Sequence, residues 1–178
     1  MKLIISGAPR GAGVNQLLLR KASNYFTDLL MREDVGCLKS IKVELKLVAN
    51  LQTDYNASAF CSWLDKPINP LDFLVELDSD LKIKTSLIAL AHELVHVKQM
   101  AFGEKQQSLD GTKMRWMGQI IDHIGLHYYD QPWEIEALGR EYGLYDRFIA
   151  IEQGHSANDV EPAIVDDHRI LLRLISQK

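Results

Sequence analysis

The sequence predicts an α+β fold, on three observations. A helix-period segment follows a turn-rich start, apolar and polar residues alternate after residue 40, and long helix-period segments fill the second half. Strands and helices therefore run in separate blocks rather than strictly alternating. The chain of 178 residues can bury a substantial core and suits a single domain. We expect that core over about 15–153, with a helical tail over 154–178.

The elements follow in order. Leu3 to Ile5 has the makings of a short strand. Gly7 to Gly13 is rich in turn residues. Its glycines resemble a phosphate loop, but Val14 and Asn15 stand where the lysine and hydroxyl residue are needed, so it reads as a flexible lead-in. Asn15 is placed to cap a helix whose apolar residues Leu18, Ala22, Tyr25 and Leu29 recur every three or four positions. From Ile41 to Leu47 the period becomes two, that of a strand with one wet face. Residues 56–64 and 71–77 are expected to complete a small twisted sheet. Asp78-Ser79-Asp80 offers cap chemistry. Ile83 to Phe102 is the clearest helix, almost free of charge between Thr85 and Val97 and therefore mostly buried, and Gly103 can end it. Residues 104–113 read as a polar loop, and 114–127 carries no decisive period. Pro132 opens a helix that runs to about Ile151 and closes at Gly154. A last helix is expected over 162–175.

Composition removes several functions. The net charge of −4 gives no electrostatic case for binding nucleic acid or an anionic membrane. No apolar run reaches the roughly 18 residues of a membrane span, and the start is too short in apolar residues for a secretory signal. Cys37 and Cys61 are too few for a disulfide scaffold and too far apart for a CxxC site. The expectation is a soluble, cytoplasmic protein. Nothing in the sequence sets an oligomeric state.

One motif carries chemistry: His92-Glu93-Leu94-Val95-His96, or HExxH. Helix positions four apart share a face, so both imidazoles can grip one ion, and Zn²⁺ prefers four ligands with nitrogen among them. Glu93 is turned about 100° from His92, beside the ion, where it can take a proton from metal-bound water. The motif lies in the most apolar helix of the chain, where these three side chains would be costly to bury without partners. A catalytic zinc needs a third protein ligand and one open position. Gln99 and Phe102 stand where a metzincin has glycine and histidine, which excludes that class. Glu134, Glu136, His123, His127 and Asp130 remain as third-ligand candidates.

HExxH followed by the helical Trp133-Glu134-Ile135-Glu136-Ala137 resembles the gluzincin arrangement, and in particular small peptidases of the ImmA/IrrE-like kind and small metallopeptidases of phage and bacterial genomes. The likeness spans about Leu87 to Tyr142. It implies a zincin-like fold, one zinc ion, and a glutamate on the second helix as third ligand. A phage-encoded peptidase would act in its host cell. In larger gluzincins an aspartate four residues after that glutamate supports a histidine. Leu138 stands there, so the support must come from elsewhere. Between the two glutamates, facing favours Glu134, because Ala137 on its side lets the helices approach closely. Glu136 has Arg140 four residues on, the spacing of an ion pair, and is the alternative. Tyr128 and His127 are candidate donors to the oxyanion that forms when water attacks a carbonyl. The function this points to is zinc-dependent hydrolysis of a peptide or protein substrate. The alternative is an inactive binding or regulatory module with a structural metal.

Overall fold

The structure, a computed structural model, describes residues 1–11, 14–108 and 112–155. Four strands, β1 (Lys2–Ser6), β2 (Lys42–Val48), β3 (Ala59–Trp63) and β4 (Asp72–Asp78), form a mixed sheet in the order β1-β2-β4-β3. β1, β2 and β4 are parallel, and β3 runs antiparallel to β4 as an edge strand. The helices are α1 (Gln16–Leu30), α2 (Val35–Ser40), α3 (Leu51–Tyr55), α4 (Ile83–Ala101) and α5 (Pro132–Glu152). A second, antiparallel sheet contains β5 (Lys105–Gln107), β6 (Met114–Trp116) and β7 (Gln119–Ile121). The molecule is thus α+β. No helix among the described residues is long and apolar enough to cross a membrane.

The alternation after Ile41 becomes a two-faced sheet. Val43, Leu45 and Leu47 lie in register beside Phe73, Val75 and Leu77, and all six are buried. On the opposite face Lys42 pairs with Asp72 at 2.6 Å and Lys46 with Glu76 at 3.0 Å. Burial decides the fold here, since each buried side chain contributes about 1.5–3 kcal/mol and each exposed ion pair at most about 1 kcal/mol. α4 covers the apolar face together with α1, and α5 packs on both helices. Phe148 of α5 meets Phe26 of α1 edge-on at 5.7 Å between ring centres. Asn15 caps α1 as expected, accepting the Leu18 amide at 2.8 Å.

Several expectations need correction. β1 joins the sheet as a fourth strand. The strand expected over 56–64 spans only Ala59–Trp63, because Asn56 takes a left-handed conformation at the end of the short helix α3. Residues 104–113 contain β5, and 114–127 holds β6 and β7, strands too short to display a period. The Asp78–Asp80 cap belongs elsewhere: α4 starts after Lys82 with no side-chain cap. Asp78 instead accepts the amides of Gln52 at 2.7 Å and Asp80 at 2.8 Å, tying β4 to the first turn of α3. The lead-in is anchored rather than loose at Arg10 and Gly11, whose amides both donate to the Ser79 carbonyl. A Cβ at Gly11 would collide with the Leu81 carbonyl oxygen. The expected helix over 162–175 lies outside the described residues.

Candidate metal centre

Every residue of α4 from Leu90 to Ala101 is buried, so the HExxH side chains sit in the interior and not on a wet face. α5 lies alongside α4. Its buried residues Glu134, Ala137, Glu141, Leu144 and Phe148 follow a three-four-three-four stripe. The stripe is apolar toward α1 and acidic toward the histidines. Ala137 is fully buried and fits the close approach expected of it. Glu134 stands in the first turn of α5, where the helix dipole favours a carboxylate.

This packing brings His92, His96 and Glu134 together. One ligand atom from each lies within 4.8 Å of the other two. Glu134 approaches His92 Nε2 at 3.2 Å through Oε2 and His96 Nε2 at 3.3 Å through Oε1. The two imidazoles are nearly perpendicular, 4.9 Å apart between centres. Two nitrogens and a carboxylate oxygen at this spacing are a donor set that suits a zinc ion.

The remaining ring nitrogens are held from behind. His92 Nδ1 donates to Glu141 at 2.7 Å, and His96 Nδ1 to the Gln99 side-chain oxygen at 2.8 Å. Gln99 has no freedom to reverse its amide. Its nitrogen donates to the Trp133 carbonyl at 2.9 Å and to Glu136 at 3.0 Å. Both imidazoles therefore carry their proton on Nδ1 and present an Nε2 lone pair to the site when neutral. Glu136 is occupied elsewhere: it pairs with Lys98 at 3.0 Å and Arg140 at 2.8 Å besides Gln99. It supports the site from beneath and does not join the donor set.

Electrostatics fits the same picture. Burial lowers the His92 pKa, but hydrogen bonds to Glu134 and Glu141 outweigh it and raise the value to about 9. Burial raises the Glu134 pKa, yet His92 and His96 hold it well below the ordinary carboxylate range. A proton thus stands between the ligands in the metal-free protein. Burial pushes the Glu93 pKa up, opposed first by His96. Glu93 makes no hydrogen bond or ion pair with the described residues and lines a cleft of about 790 Å³.

That cleft runs from β3, along Asn56 to Cys61, across α4 to Tyr128 and Glu134. The Tyr128 hydroxyl lies 3.3 Å from His92 Nε2, and burial keeps it protonated far above its usual pKa. His127 lines the cleft, but its Nδ1 is engaged by the Tyr129 amide at 3.4 Å. His123 packs on Trp133, as does Trp116, and neither His123, His127 nor Asp130 joins the donor group. Compared with known proteins, the chain matches no family model, no curated protein and no solved structure.

Sequence reasoning passed over Gln99, Glu141 and Lys105. The first two carried a legible signal: Gln99 is three residues after His96, and Glu141 is seven after Glu134, each on the ligand's own face. Glu141 fills the supporting role for which Leu138 is unsuited. Lys105 reaches the cleft from β5, a strand with no sequence signature.

Proposed function

We propose that the protein is a zinc-dependent metallopeptidase of zincin-like architecture, with His92, His96 and Glu134 as ligands and Glu93 as general base. The observation that carries this reading is the convergence of two Nε2 atoms and one carboxylate, buried yet opening on a cleft. No fourth His, Cys, Asp or Glu joins them among the described residues, which favours a catalytic site over a closed structural one. Bound there, Zn²⁺ would act as a Lewis acid toward a carbonyl and lower the pKa of a water molecule.

The chain's own residues supply the rest. Glu93, unpartnered and facing the cleft, takes a proton from the attacking water on its carboxylate and delivers it to the leaving amine. Its raised pKa brings it nearer the value such a shuttle needs. The Tyr128 hydroxyl donates to the oxygen on which negative charge develops. Glu141 and Gln99 keep both histidines aimed. The edge of β3, which pairs with no further strand among the described residues, borders the cleft, where an extended peptide adds to the sheet by backbone hydrogen bonds.

Glu93→Gln tests the assignment. Zinc content is expected to stay at the wild-type level while kcat on a fluorogenic peptide library falls about 10²–10⁴-fold. Undiminished turnover would reject Glu93 as the base.

A further inference from the structure

Lys105 is a cation at the cleft with no partner of opposite charge in contact among the described residues. The end of α4 puts it there. Gly103, with a φ of 70°, closes the helix: its amide donates to Met100, and the Glu104 amide donates to Gln99. Glu104 is fastened to Lys98 at 2.6 Å, so the chain leaves α4 in a fixed direction and Lys105 opens β5 against that helix. The Lys105 ammonium lies 5.3 Å from the ring centre of Trp133, which is itself buried and packs at a tilt against Trp116. It makes no ion pair with the described residues. Burial lowers its pKa, and the nearby acidic groups, Glu134 first, oppose this.

The charge balance changes when a metal enters. A dication held by His92, His96 and Glu134 offsets Glu134 and Glu93, the two carboxylates whose field favours the ammonium. Glu141 is committed to His92 Nδ1. Lys105 would then be an uncompensated positive charge on the wall of the cleft, held over the Trp133 ring. Such a group is satisfied by an anion on whatever fills the cleft.

We propose that Lys105 is a specificity-determining residue that anchors a carboxylate of the substrate beside the scissile bond. The preferred substrates are then short peptides or acylated amino acids whose free carboxylate is close to the bond that is cut. This rests on the reading of the site as a peptidase centre. The edge of β3 would hold the acyl side of the substrate, and Lys105 the side that leaves.

The test separates anchoring from catalysis. N-acetylphenylalanine and its amide are titrated into zinc-loaded protein and followed by NMR, which needs no turnover. Wild type is expected to bind the acid at least about tenfold more tightly than the amide, the range of a charge-assisted hydrogen bond. Lys105→Met should bind the two alike, and Lys105→Arg should keep the preference. If Lys105→Met fails to fold, judged by thermal melting and zinc content, Lys105→Gln carries the same expectation. A wild type with no preference, or a preference unchanged without the lysine because the carboxylate simply ligates the metal, overturns the proposal. With matched peptides, removal of the lysine should raise KM for the acid and leave kcat nearly constant. A protein that prefers the acid through Lys105 but cleaves no peptide would remove the peptidase reading and leave the anion anchor standing.

Discussion

His96 offers two ring nitrogens, and Gln99 decides which is left for a metal. The Gln99 amide is fixed because Trp133 and Glu136 accept both of its hydrogens, so its oxygen can only face His96 Nδ1. Glu141 does the same for His92 and adds a negative charge that strengthens the ring as a donor. Glu141→Gln should therefore lower zinc affinity about 10–100-fold, read by competition with a chelating dye. An unchanged affinity would make Glu141 a bystander. At this scale much was legible. His92, Glu93 and His96 are spelled out by their motif, and Glu134 follows from the small residue on its side. The pairing of Glu136 with Arg140 was legible from their spacing and forms at 2.8 Å, whereas the rest of its setting could not be read. That depends on Lys98, four turns into a different helix, and no local spacing announces such a pairing.

The elements α4 and α5 make the site by approaching closely, and Ala137 is where they can. Its side chain is fully buried against the histidine helix. Ala137→Leu adds volume to a packed seam, which costs about 1–3 kcal/mol, and it should also separate Glu134 from the imidazoles. The expected result is a lower thermal midpoint together with weaker zinc binding. A variant that loses stability but holds zinc as tightly would show that the helix spacing does not set the site. Long helices and the 41–48 strand were legible because their periods extend over many residues. β5, β6 and β7 have three residues each and were not, although β5 delivers Lys105 to the cleft. The short helix α3 escaped for the same reason, and its boundaries are set by Asn50 and Asn56 in left-handed conformations.

Across the whole molecule, stability and function meet in α4. The sheet, α1, α4 and the far half of α5 supply the apolar core, while the acidic half of α5 spends buried volume on charge. That charge makes the metal-free protein sensitive to pH. His92 titrates at about 9 in the folded protein and near 6.5 when unfolded. Its contribution is therefore complete below about pH 6.5 and is lost as pH rises through 9, by up to about 3 kcal/mol. Urea melts of metal-free protein should show this decline. On the proposed reading zinc would take the place of the proton, so the zinc-loaded protein should show a flatter profile. The α+β class and the two-faced sheet could be foreseen from composition and period. The packing of α5 on α4 was also expected, from the Glu-bearing segment that had to reach the histidines and from the small Ala137 beside it. The most direct measurement is a zinc titration of the metal-free protein, repeated with Glu134→Ala and Glu136→Ala. The account predicts one zinc ion per chain for wild type and Glu136→Ala, and severe loss of binding for Glu134→Ala. A wild type that binds no zinc, or a Glu134→Ala variant that binds it undiminished, would contradict it.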